Sequence, residues 1–239
     1  MTARVLAHGG REAVRADVRD DGHEHVVSRV EVLPGATPDD AAAALVQALP
    51  GARVGVQADE PLVPALEAAG ARVVRRSRDM ARAASPLPAP TLLPAGLAIV
   101  PAAWDERLAD LRVAAYGLDE AQDERALREV FASGRPAPPL AASSARLLDA
   151  QGALVGHVLT AGPVPWADAP TAWVLDVAVH PSAQGRGLGH VLLEHALNGL
   201  ALAGLPTLGL TVTDGNPAAR LYAALGFVET RRSTSLRLP

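Results

Sequence analysis

The chain has 239 residues, 49% hydrophobic, 20% charged and 3% aromatic, a balance that supports a buried core and excludes disordered, fibrous and low-complexity classes. Its 22 basic and 26 acidic residues give a net charge of −4, with no basic run to serve as a nucleic-acid footprint. Cysteine is absent and every basic residue is arginine, so disulfides, thiolate metal sites, a cysteine nucleophile and lysine Schiff-base chemistry are all excluded.

The opening residues MTARVLAHGG lack a charged stretch followed by a long apolar run, and no later segment offers about 18 uninterrupted apolar residues. A soluble, cytoplasmic protein without membrane or nucleic-acid partners is expected. Alternation predicts a strand within 22–32 (HVVSRVEV), and helical spacing behind the Thr37 cap predicts a helix over 38–49. A short strand over 53–57, a helix over 62–69 and a strand from Arg72 follow. Pro86, Pro88, Pro90 and Pro94 then predict a stiff, extended connection. The expected domains are 1–84 and 97–239, joined by a linker at 85–96.

Downstream, GLAIVPA reads as a strand, 104–116 and 120–133 as helices, and ARLLDAQGALVGHVLTAG as a hairpin around Gln151-Gly152. TAWVLDVAVH is a further strand, followed by a helix over 188–203, strand LGLTV, a helix over 217–225 and a last strand. The order β-α-α-β-β-β-α-β-α-β, with an apolar run too continuous for a half-exposed strand, predicts an α/β fold of the mixed-sheet, α+β type. A weak internal repeat, offset by 156 residues, lays GARVVRRS (Gly70 to Ser77) over GFVETRRS (Gly226 to Ser233), each after a helix that begins near a proline.

The most informative stretch is VAVHPSAQGRGLG, residues 177–189, which empties a buried strand into a glycine-rich loop at a helix N-terminus. Such a loop turns several backbone N–H groups toward one point, where the helix dipole also favours an anion such as a pyrophosphate. Gly185, Gly187 and Gly189 keep Cβ atoms out of the way, while Gln184 and Arg186 can add donors. The spacing is neither the dinucleotide fingerprint nor the lysine-containing P-loop. Asn216, 27 residues after Gly189, opens NPAARLYAALGF, with Asn216 read as helix cap, Pro217 at the first helical position and Tyr222 six residues on.

Q-G-R-G-L-G after V-A-V-H-P, followed by N-P-A-A-R-L-Y-A-A-L-G-F, resembles the two signature motifs of the GNAT superfamily of acyl-CoA-dependent N-acyltransferases, over roughly 97–239. The resemblance implies that Gln184, Gly185, Arg186, Gly187, Leu188, Gly189 and His190 bind the CoA pyrophosphate. It places the pantetheine arm along Val177, Ala178 and Val179, further arm contacts at Asn216 and Ala219, and protonation of the departing thiolate at Tyr222. Acetyl-CoA is then the co-substrate, with an amine acceptor and no metal; monomer and homodimer stay open. The two glutamates that serve as bases in that family fall at Thr211 and Trp173 here. Asp176, a carboxylate among valines whose proton affinity desolvation should raise, is the candidate base. His180 and a base-free, water-relayed deprotonation are the alternatives. His157, His190 and His195 are read as surface or packing residues, and His23-x-His25 as a weak metal-binding pair. Trp166 and Asp168, in the turn GPVPWADAP, are candidates to line the acceptor site.

The first half fails the same chemical test. Where the second has HPSAQGRGLGH the first has LPGATPDDAAA, and at the repeat offset Glu60 and Leu66 stand for Asn216 and Tyr222. It is expected to be a degenerate, abbreviated unit of the same family. The alternative function is a non-catalytic acyl-CoA sensor or interaction module.

Overall fold

The computed structural model describes residues 2–20, 24–58, 60–117, 120–167 and 169–239, with backbone alone at 120–126. The chain divides into two compact units, one of Met1–Asp79, Val212–Asn216 and Glu229–Pro239, the other of Met80–Thr211 and Pro217–Val228. The last residues of the chain therefore count with the first unit.

The first unit opens on a hairpin, β1 (Thr2–His8) and β2 (Arg11–Asp20), paired antiparallel with Leu6 opposite Val14. Its turn is Gly9-Gly10, both at positive φ (57° and 81°), which residues with a Cβ rarely adopt. β3 (His25–Val32) pairs antiparallel with β2 and parallel with β4 (Arg53–Gln57), and α1 (Pro38–Ala48) makes the crossover. Thr37 and Asp40 close a reciprocal capping box at the start of α1, Asp40 N–H to Thr37 Oγ1 at 3.1 Å and Thr37 N–H to Asp40 Oδ2 at 3.0 Å. After α2 (Leu62–Ala68) comes β5 (Arg72–Ala83), and the final strand, β11 (Val228–Arg237), pairs antiparallel with β4. Val14, Leu45, Val54, Leu66 and Leu236 are fully buried in one apolar cluster. Ser77 on β5 and Ser233 on β11, equivalent under the 156-residue repeat, meet hydroxyl to hydroxyl at 3.1 Å.

In the second unit β6 (Leu97–Pro101) pairs antiparallel with β7 (Ala145–Asp149), β7 with β8 (Leu154–Ala161), and β8 with β9 (Thr171–Val179). β10 (Thr207–Thr213) lies parallel to β9. The helices are α3 (Arg107–Tyr116), α4 (Glu120–Ser133), α5 (Leu188–Leu202) and α6 (Ala218–Ala224). This is the expected mixed α/β fold. α5 is its central helix, burying Leu188, Leu192, Leu193, Leu197 and Leu200 almost completely. At Gly199 an added Cβ would lie 2.0 Å from the Ala142 carbonyl oxygen, so the helix approaches that turn only because the residue is glycine.

The sequence reading missed the β1–β2 hairpin, because the small buried residues Ala13, Val14, Ala16 and Val18 are interspersed with charged ones in REAVRADVRD. α3 starts at Arg107 instead of Trp104. Asp105 accepts the Arg107 N–H at 3.0 Å, and the Trp104 indole is spent elsewhere, under the Arg128 guanidinium (4.7 Å) and edge-on to Phe131 (6.2 Å). Among the described residues no helix is long and apolar enough to cross a membrane.

Candidate active site

The site is built around the C-terminal half of β9. The register of β10 against β9 runs from Thr207 opposite Thr171 to Leu210 opposite Val174 and stops there. On the other edge, Leu159 faces Asp176 and Thr160 faces Val174, so Leu175 is an extra residue and β9 carries a bulge. Antiparallel ladders alternate between residues whose N–H and C=O point to the partner strand and residues whose groups point away. The His180 N–H bonds to the Val155 carbonyl at 2.9 Å, which sets that phase. Ala178 and Asp176 then face β8, while Val177 and Val179 turn their backbone groups to the opposite edge, beyond the stretch paired with β10. Side chains hold both carbonyls there: Tyr116 Oη donates to Val177 and Gln184 Nε2 to Val179 at 3.0 Å. This edge has the donors and acceptors that an extended, amide-bearing chain needs.

The strand empties into a short 3-10 turn, Pro181–Ala183, stabilised by the Ser182 N–H on His180 Nδ1 at 3.2 Å. Gln184 to Gly187 are exposed, with Gly185 and Gly187 at φ 75° and 76°. An added Cβ at either glycine would meet nothing within 4 Å. They are required by backbone conformation, and the space above them is open. Gly189 has the different task of letting α6 close: a Cβ there would lie 3.0 Å from Leu221 Cδ2. α5 begins at Gly187 with no side chain bonded to its first N–H groups, and Leu188 anchors the turn in the core. The His190 N–H bonds to the Gly187 carbonyl at 3.0 Å, and the N–H groups of Leu188 and Gly189, which no side chain caps, lie at the positive end of the helix dipole, next to Arg186 in sequence. His190 Nε2 lies 3.4 Å from Glu194 Oε1, and the buried Glu194 accepts the Thr91 N–H at 3.0 Å.

Tyr222 is buried on α6 with its ring edge-on to Phe227. Burial, reinforced by the Asp176 charge, pushes its phenol up to about 12, so it stays protonated at neutral pH. α6 starts one residue later than expected, at Ala218, so that Pro217 and not Asn216 stands at the N-cap position. Asn216 is exposed and donates its N–H to the Thr213 carbonyl at 3.1 Å. Ala219 is half-buried on α6 and Thr211 is exposed.

Asp176 is not a lone carboxylate among valines. Arg112 Nη1 lies 2.9 Å from its Oδ1, and His157 Nε2 bonds to its Oδ2, all three side chains being almost wholly buried. Sequence reasoning missed Arg112 and Tyr116 and assigned His157 to packing. His157 was traceable, because it lies opposite Ala178 on β8, two residues from the partner of Asp176. Trp173 lies opposite Gly209, where an added Cβ would stand 2.3 Å from the indole, and Trp166 meets it edge-on at 5.8 Å. Asp168 and His23 lie outside the described residues, among which no group of three or more His, Cys, Asp or Glu is placed to hold a metal.

Residues 105–227 match the acetyltransferase (GNAT) family, and the chain belongs to it. It is 33% identical over 213 residues to a mycothiol acetyltransferase of Frankia alni, spanning 81% of this chain and 63% of that one. Over 59 residues it is 48% identical to the [ribosomal protein bS18]-alanine N-acetyltransferase of Salmonella typhimurium, 24% of this chain and 40% of that one. The chain thus spans less than two thirds of these relatives. A tandem GNAT protein from the clavulanic acid biosynthesis pathway has the same fold, with TM-score 0.67 and 18% identity over 98% of this chain and 81% of that one.

Proposed function

We propose that this protein moves an acetyl group from acetyl-CoA to a primary amine by direct attack, using the 97–239 segment, while 1–84 is a degenerate unit without cofactor chemistry and 85–96 the linker. The observation that carries the reading is the open start of α5 at the end of a strand whose Val177 and Val179 backbone groups face an unpaired edge. In this reading Gln184 to His190 take the pyrophosphate, and Asn216 and Ala219 contact the arm. Val177 to Val179 pair with the arm, Gln184 and Tyr116 giving up their bonds to the two carbonyls. The bound thioester is held in line with the acceptor, and positioning supplies much of the rate.

The amine lone pair forms the new C–N bond at the thioester carbonyl, and the C–S bond then breaks. Tyr222, protonated because of its burial, gives its proton to the leaving sulfur, and the proton lost by the nitrogen returns through water. Asp176, with both oxygens engaged by Arg112 and His157, supports the water-relayed alternative over the role of base. The test is calorimetric titration with acetyl-CoA together with amine-dependent release of CoA thiol. One site per chain and thiol release are expected; binding without thiol from any amine would indicate the acyl-CoA sensor instead.

A further inference from the structure

The direction in which a ligand must run along β9 identifies what lies ahead of its reactive end. The open start of α5 follows the C-terminal end of β9, so a chain anchored there by its phosphates and paired with Val179 and then Val177 advances toward the N-terminal end of the strand. Next on its path are Leu175, the bulged residue, and then Trp173. The Trp173 indole lies over Gly209 on the neighbouring strand, where pairing between β9 and β10 still holds, and so stands at the closed end of the opening. Trp166 braces it edge-on from a loop tied back by the Val164 N–H to the Thr171 carbonyl at 2.9 Å. Trp166, Trp173 and Leu175 are half-buried and pack on the buried Ala137, Ala161 and Val164. The nearby Asp176 is not a free carboxylate, its oxygens being held by Arg112 and His157.

We infer that Trp173 and Trp166 form the acceptor wall, and that the site takes α-amino groups borne on an apolar residue, of which a far larger share arrives uncharged, in preference to alkylammonium groups such as a lysine side chain. The inference rests on the acetyl-transfer reading above. Its chemistry is that of a site that favours the uncharged amine by dry, aromatic surroundings instead of removing the proton with a carboxylate. At pH 7 an α-amino group is about 10% uncharged and a lysine amine about 0.04%, a gap on the order of 250-fold from their ordinary proton affinities. An apolar side chain beside the amine gains by burial against the two indoles.

The experiment follows CoA thiol release by the full chain with acetyl-CoA and three acceptors, phenylalaninamide, glycinamide and Nα-acetyl-lysinamide, from pH 7 to 9.5. Phenylalaninamide is expected to exceed Nα-acetyl-lysinamide by at least about 100-fold in kcat/KM at pH 7, with the gap closing as pH rises and the lysine amine loses its proton. It is expected to exceed glycinamide several-fold, a preference that Trp166→Ala abolishes while acetyl-CoA affinity is retained. Trp173→Leu keeps an apolar side chain over Gly209 and is expected to weaken the same preference. Equal or better turnover of the lysine amine at pH 7, or a phenylalanine-to-glycine ratio unchanged in both variants, overturns the inference and leaves acetyl transfer standing. Acetyl-CoA binding without thiol release from any acceptor at any pH overturns both.

Discussion

α1 and α5 each follow a strand and a short loop, and they begin in opposite ways. At α1 the first N–H groups meet the chain's own side chains: Asp40 and Thr37 bond reciprocally, and Asp39 adds a second negative charge. At α5 the N-cap is Gly187 and no side chain takes the donors. Both starts have the same dipole, so the difference lies in whether the site is already filled. A helix start that caps itself contributes stability, and one left without a side-chain cap keeps its backbone donors for other partners.

The largest expected effect breaks the open start. Gly187→Glu places a carboxylate where the anion would sit and forces a Cβ onto φ 76°, and loss of acetyl-CoA binding in calorimetry is expected at any attainable concentration. Tyr222→Phe leaves the loop intact and removes the proton donor; kcat is expected to fall about 100-fold with KM nearly unchanged. Since the Tyr222 phenol is raised to about 12, its own loss of a proton adds no basic limb to the pH–rate profile below about pH 10. A limb there that vanishes in Tyr222→Phe would show the phenol losing its proton well below 12 and would overturn the effect of its burial, whereas a Tyr222→Phe variant with unchanged kcat would remove it from the role of acid. Arg112→Met leaves the buried Asp176 without its cation, and unfolding in denaturant is expected to show about 3–5 kcal/mol of lost stability. The smallest effect tests the filled start: Thr37→Ala is expected to cost about 1 kcal/mol without touching acetyl-CoA binding. The Thr37 backbone and hydroxyl hold the Asp40 carboxyl below its ordinary range. Their contribution is therefore present above that range and lost as pH falls through it, and Thr37→Ala should flatten the acid side of the stability curve.

Much of this was legible because it is local. The Thr37 cap, the glycine loop and the order of elements in the second half are encoded within a few residues of each other, and backbone preference is a short-range property. What escaped depends on pairing between distant residues. Arg112 and Asp176 are 64 positions apart, and nothing in WVLDVAV announces that a helix brings a guanidinium to its carboxylate. The bulge at Leu175 arises from register with β8, which single-strand alternation does not contain. The β1–β2 hairpin was missed for a different reason: Gly9-Gly10 is a recognisable turn, but charged neighbours masked the small apolar residues that face the core. For Asn216 the error was one residue, the ordinary uncertainty of a helix end.

The contact between Ser77 and Ser233 joins two atoms that occupy the same place in the two copies of the repeat. Self-matching of this kind is what an isologous pairing between identical subunits leaves behind, each partner offering the same residue to the other. On separate chains it would form only when two molecules met, and would weaken with dilution. Held on one polypeptide it is present in every molecule at any concentration.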